Sequence, residues 1–295
     1  MTDHLSAGKF ITGHARLLDR HRHAALREPS HRHGEAVIQA LEAYRNPDGG
    51  YGWGLEPDLR SPESQVAGAL HALEALADAW PAVSGRLPAL LDWLESVTLR
   101  DGGLPFALPV ADYTACAPFW VSADPKESSL QLTAAVVAQA HRLAVRDRRV
   151  GAHPWLARAT GYCLARIEEL DERPFAYVLS FSLQLLDRLA GSDERAAAQL
   201  ERLGKWLPED GTITVDGGAV GESLHLTDFA PEPGGPVRAL FSDAAAEIAL
   251  ARLEREQDDD GGWPVDFSSY SEAAALEWRG YLSVRAAAVL RLNGR

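Results

Sequence analysis

The tripeptide Asp-Gly-Gly occurs at Asp48-Gly49-Gly50, Asp101-Gly102-Gly103 and Asp260-Gly261-Gly262, with a degenerate copy at Asp210-Gly211-Thr212. Successive markers stand 53, 109 and 50 residues apart, so the middle interval spans close to two periods, with one marker missing near position 155. A repeat of about 50 residues confines the chain to folds made by stacking one supersecondary unit on the next. In such a turn the aspartate can bond its own backbone two residues on, and a glycine accepts positive φ after a helix end. The markers therefore read as punctuation between helices.

Between the markers, apolar residues recur at helical spacing, as in Val66, Leu70, Leu73, Leu76 and Ala77, and strand-like alternation is almost absent. The pattern predicts helices over about 5–26, 31–45, 62–80, 85–99, 125–147, 152–171, 174–190, 192–206, 236–256 and 270–292, which make five hairpins. Ser61-Pro62-Glu63 and Asp124-Pro125 with Glu127 read as helix starts. Stacked hairpins form either an open solenoid or a closed ring. Helices that are alanine-rich on more than one face, at Ala134–Ala140, Ala244–Ala251 and Ala286–Ala288, favour inner helices packed on both sides. The expectation is an all-α fold, a single α/α toroid of five to six helical hairpins. No shift in composition marks a linker, so residues 1–295 are expected to form one domain. The stretch from about 207 to 235 is poor in helix formers, and loops of that length are often functional.

Charge and cysteine usage narrow the partners. Lys and Arg number 29 against 42 Asp and Glu, a net charge of −13 that repels nucleic acid and anionic membranes. Cys116 and Cys163 belong to no metal or disulfide pattern, which favours a reducing, cytoplasmic setting. Met1 to Phe10 lacks an apolar signal core, and no long apolar run occurs, so no integral membrane segment is expected and any membrane contact is transient.

The last marker extends to Gln257-Asp258-Asp259-Asp260-Gly261-Gly262-Trp263, which is Q-x-x-x-G-x-W. This resembles the QW repeat of squalene-hopene cyclase and related terpene cyclases, whose α/α toroid is shared with the β subunits of protein prenyltransferases. In that family the motif joins an outer helix to an inner one, and its glutamine and tryptophan tie successive hairpins together. Arg45 and Tyr51 replace the pair at the first marker, and Thr98 and Leu104 at the second. The resemblance implies a toroid and, through it, acid-initiated cyclisation of an isoprenoid in a central hydrophobic cavity. The family's D-x-D-D acid motif is missing, as are the D-D-x-x-D magnesium motif and the D-x-C context of the prenyltransferase zinc site. No metal or cofactor is therefore expected.

Protonating an alkene requires a carboxylic acid kept neutral by burial or by a second carboxylate, with aromatic rings beside the cation. Asp58 with Glu63, and Asp124 with Glu127, are the candidate catalytic acids. Tyr51, Trp53, Phe106, Phe119 and Trp120 lie on the loops leading into them, and Trp263 follows a marker turn; these six are the candidate substrate-binding residues. On this reading Asp58→Asn or Asp124→Asn abolishes turnover and leaves stability nearly unchanged. The pairs His21/His23 and His31/His33 splay their rings on a helix, so a solvated basic face is favoured over a metal site. Whether the chain is an enzyme stays open. The alternatives are a non-catalytic toroid that binds a small molecule or a protein, and a carbohydrate-active barrel that uses paired carboxylates.

Overall fold

The computed structural model describes residues 4–295. It is 56% helical, with 14 helices and almost no sheet. The larger helices are α1 (His4–His14), α2 (Leu17–Arg27), α3 (His31–Leu41), α4 (Val66–Asp78), α5 (Leu87–Val97), α7 (Leu130–Ala144), α9 (Pro154–Glu168), α10 (Ala176–Leu189), α11 (Glu194–Gly204), α13 (Asp243–Arg255) and α14 (Glu272–Leu292). Single turns form α6 (Pro118–Val121), α8 (Arg148–Gly151) and α12 (Leu226–Phe229). A short antiparallel pair, β1 (Ile213–Thr214) and β2 (Ser223–Leu224), lies within the long segment before α12.

Burial separates two layers. Every residue of α4 except Glu74 is buried, as expected of a helix covered on all sides, whereas α11 buries only the stripe Ala196, Leu200 and Leu203. The inner layer runs α2, α4, α7, α10, α12 and α14, and α14 packs back on α2. Arg285 of α14 reaches the carbonyl of Asp228 in α12 at 2.6 Å, which joins the last two members. The outer layer is α1, α3, α5, α9, α11 and α13. The architecture is an all-α toroid.

The outer–inner pairs number six because the helix expected over 5–26 is broken at Ala15-Arg16 and the single turn α12, in the expected 207–235 loop, takes an inner position. Gly280 of α14 approaches so closely that a Cβ there would lie 2.9 Å from the Ala15 Cβ, and Arg16 turns to Asp19 and to the Leu55 carbonyl. The inner helices α4 and α7 also start later than expected. Their N-caps are Gln65 and Ser129, and the Ser129 Oγ accepts the Leu132 N–H. Ser61-Pro62-Glu63 and Asp124-Pro125-Lys126-Glu127 are therefore connector residues, not helix starts. The missing marker falls after α9, at Asp171-Glu172-Arg173, where no glycine is available, so the period is less uniform than the marker spacing implies.

The four marker turns share one geometry. Gly49, Gly102, Gly211 and Gly261 have φ of +95°, +97°, +70° and +91°. Each preceding aspartate accepts the backbone N–H two residues on, at 3.0–3.1 Å. The second glycine of each full marker sits under a ring of an outer helix: Gly50 under Trp93, Gly103 under Tyr162 and Gly262 under Phe10, where a Cβ would meet ring carbons at 2.6–2.8 Å. Phe10 belongs to α1, so the last marker docks on the first helix and the ring closes. In the one complete QW copy, the Gln257 amide binds the Gly261 carbonyl and the Trp263 indole binds the Leu253 carbonyl. Both bonds stay within one hairpin, and neighbouring outer helices are joined by the glycine–aromatic contact together with bonds from the next outer helix to the turn, as from the Trp93 indole to Asp48 and from Arg158 to the Leu99 carbonyl.

Candidate functional site

The connectors from outer to inner helices carry most of the polar chemistry, and three of them meet. Leu59 bridges Cys116, and Asp58 reaches across to the segment before α14. Asp58 is buried. Its Oδ1 accepts the Ser269 hydroxyl and the Tyr270 backbone N–H at 3.1 and 3.0 Å, and its Oδ2 accepts the Trp278 indole N–H at 2.7 Å. Arg60 pairs with Glu277 at 2.6 Å beside it. Together these contacts strap residues 269–278 onto the loop before α4.

Beneath the strap runs a buried ionic chain. The His71 Nε2 meets Glu56 at 2.8 Å, its Nδ1 meets Glu74 at 2.9 Å, and the Tyr281 hydroxyl donates to Glu74 at 3.0 Å. Burial alone would lower the His71 pKa, but the charge of Glu74 and the hydrogen bonds to Glu56 and Glu74 overcome it and raise the value to about 9. Burial likewise opposes ionisation of Glu74, yet His71 and Arg22 bring it down to about 2. Arg22 pairs with Asp78, which also holds Arg142. Charged groups thus occupy the interior between α2, α4, α7 and α14.

The shortness of α12 leaves room at the fifth inner position. There, between α12, α13 and α14, lies a cavity of about 100 Å³, and six of its thirteen lining residues are ionisable: His225, Asp228, Arg252, Glu256, Asp266 and Arg285. Trp263 forms part of the wall. Desolvation, then the charge of Asp228 and further that of Glu222, raises the Asp266 pKa, although its side chain reaches solvent at the rim. Burial raises Glu256 despite its 2.5 Å contact with Arg252, and the charges of Asp266 and Asp228 add to the effect. Asp228 accepts the His225 backbone N–H at 2.7 Å and lies 3.4 Å from Arg285. Glu222 is buried and accepts the Tyr177 hydroxyl at 2.8 Å. Burial and then the charge of Arg252 lower the His225 pKa, against the opposing charges of Asp228 and Asp210. Two carboxyls that hold their protons above the usual range therefore stand beside an arginine-paired carboxylate. Such an arrangement can give a proton to a leaving group and present an anion to the reacting centre.

The residues singled out from sequence fall in different places. Phe106, Phe119 and Trp120 come together: Phe106 stacks on Trp120 at 4.6 Å, and Phe119 lies 5.3 Å from Trp120 and 5.6 Å from Tyr270. Trp263 lines the acidic cavity. Tyr51 is a core residue, and Trp53 is 58% exposed at φ +57° with its indole bound to Asn46. Glu63 accepts the Ala111 N–H, while Asp124 and Glu127 lie on an exposed loop where Asp124 accepts the Lys126 N–H. Asp58 is thus separated from the other three candidate acids. The cavity acids Asp228, Glu256 and Asp266, with Glu222 nearby, escape a motif search because they come from α12 and its preceding loop, the end of α13 and the connector before α14. The one signal pointing to them is the 207–235 segment, in which Glu222, His225 and Asp228 are neighbours. Among the described residues, one group has metal-binding geometry, Asp92, Glu95 and His153, remote from the cavity on α5 and before α9.

No protein-family model matches the sequence, and no curated protein is similar to it in sequence. Solved structures do share its fold. A GH76 α-mannanase from Bacteroides thetaiotaomicron aligns over 98% of this chain and 87% of its own, with a TM-score of 0.54 and 14% identity. The type II terpene cyclase MstE from Scytonema, a variant bound to geranylgeranyl dihydroxybenzoate, aligns over 94% of this chain and 88% of its own, with a TM-score of 0.55 and 13% identity. At these identities the likeness establishes the α/α toroid and nothing finer.

Proposed function

We propose that the whole chain, 1–295, works as one carbohydrate-active toroid that cleaves a glycosidic bond at the cavity beside α12. The observation that carries this reading is the pairing of raised-pKa carboxyls with an ionic, hydroxyl-compatible wall. Asp266 is the general acid that protonates the leaving oxygen, and Asp228, held by Arg285, is the carboxylate partner whose charge helps keep the Asp266 pKa raised. Trp263 offers an apolar wall to a sugar ring. Asp58 is a positioning residue: it accepts from Ser269, Tyr270 and Trp278, and so fixes the segment that carries Asp266. The likeness to the mannanase supports this reading, and α-linked mannose oligomers are the first substrates to test.

The test is release of reducing ends by the purified chain. Wild type is expected to act on the oligomers, and Asp266→Asn is expected to lose that activity without a change in melting temperature. Equal activity in Asp266→Asn removes the assignment. The isoprenoid reading has one observation in its favour, the aromatic group of Phe106, Phe119, Trp120 and Tyr270 near Asp58, together with the likeness to MstE. Against it stands the charged interior, where Arg22, His71, Glu74 and Asp78 fill the space between the inner helices that an isoprenoid chain would need.

A further inference from the structure

Phe119 and Tyr270 are 43% and 51% exposed, yet they meet edge to face at 5.6 Å on the base formed by Trp120 and Phe106. Large apolar rings gathered at a rim mark contact sites for ligands. An independent observation points the same way. Trp120 is 9% exposed, and its buried indole N–H has no acceptor. The indoles of Trp53, Trp93, Trp155, Trp263 and Trp278 all donate to protein acceptors. Buried donors normally find partners, and a ligand can supply one that the protein lacks.

The place of the group is fixed relative to the cavity. The Tyr270 backbone is held by Asp58, and Tyr270 follows Asp266 by four residues, at most about 14 Å of chain. Phe119 sits on the four-residue helix α6, and its exposed ring lies against Phe106, Trp120 and Tyr270. Resting on the carbohydrate reading above, we infer that Phe119 and Tyr270 form a stacking subsite for a pyranose ring of an oligosaccharide, beyond the ring cleaved at Asp266. The two rings stand at 73° to each other, so the C–H face of the sugar stacks on Tyr270 while Phe119 packs against its edge, and one sugar oxygen accepts the Trp120 indole N–H. The ligand is uncharged: a net charge of −13 disfavours an anion, and the Asp58 carboxylate beside Tyr270 is already taken by three donors of the protein, which leaves no free counter-charge for a cation.

The experiment titrates the full chain with mannose and with α-linked mannose oligomers of two to six units, read by calorimetry and by tryptophan fluorescence. Wild-type affinity is expected to rise with oligomer length. Phe119→Ala and Tyr270→Ala are expected to lower affinity for the longest oligomer at least tenfold, leave mannose unaffected and keep the melting temperature. Trp120→Phe keeps the ring, loses the donor and falls several-fold. An unchanged length dependence in Phe119→Ala and Tyr270→Ala overturns the subsite, as does the absence of oligomer binding by wild type. The subsite and the cleavage reading fail separately. Cleavage whose length dependence ignores Phe119 and Tyr270 removes only the subsite, and length-dependent binding without cleavage removes only the hydrolytic assignment.

Discussion

Replacing His71 by glutamine should change how stability depends on pH more than it changes stability at high pH. The imidazole lies between Glu56 and Glu74 with the edges of the Trp278 and Tyr281 rings against it, and Arg22 stands beyond Glu74. Its pKa rises from 6.5 to about 9 on folding. A group whose folded pKa is raised contributes fully below its unfolded value and contributes nothing above its folded one. The His71 contribution is therefore complete below pH 6.5, declines between pH 6.5 and 9, and is gone above it. At 1.36 kcal/mol per pKa unit, the shift is worth roughly 3 kcal/mol. The lowered Glu74 pKa reports the same attraction from its partner's side, so the two are not added. The assay is urea unfolding of wild type and His71→Gln at pH steps from 6 to 10. The difference in unfolding free energy should shrink by roughly 3 kcal/mol across that range, because other titrating groups cancel between the two proteins. Parallel curves would refute an imidazolium clamped in the folded state.

Other consequences follow from particular contacts. Gly103→Ala forces a Cβ to within 2.5–2.6 Å of Ser128 and Tyr162 and should cost about 1–3 kcal/mol, whereas Gly161→Ala in α9, with open space around it, should stabilise by about 0.5–1 kcal/mol; chemical denaturation compares them. Asp58→Ala strands three donors in the strap and should lower stability by roughly 3 kcal/mol or more, seen as a large drop in melting temperature. Asp124→Asn and Glu127→Gln, on their exposed loop, should leave melting temperature and any oligosaccharide cleavage unchanged. Cleavage should fall as pH rises through the raised Asp266 pKa, because the acid must hold its proton, and a rate indifferent to pH there removes Asp266 from that role.

The markers carried the fold into the sequence because each turn needs a specific residue type: an aspartate to accept its own backbone and glycines where φ is positive or an outer-helix ring presses close. The break at Ala15-Arg16 left no such trace. It arises from the approach of α14 at Gly280, a contact between residues 265 positions apart. The site was legible only in part. Phe106, Phe119 and Trp120 share one connector, so their neighbourhood in the chain already suggests a cluster. Asp228, Glu256 and Asp266 sit beside long-range partners, and their raised or paired state depends on a gap produced by the short α12. The helix-start reading of Glu63, Asp124 and Glu127 failed because Gln65 and Ser129 took the N-cap positions. The reading that Asp58→Asn leaves stability intact also changes, since the carboxylate holds the strap together.

On the proposed reading the toroid takes a hydroxylated substrate in the cavity beside α12, where six of thirteen lining residues are ionisable, and does not take an isoprenoid. The most direct measurement is calorimetric titration of the wild-type chain with an α-linked mannose tetramer and, separately, with geranylgeraniol. Saturable binding of the tetramer and none of geranylgeraniol is the expected result. Saturable binding of geranylgeraniol without binding of the tetramer would contradict it.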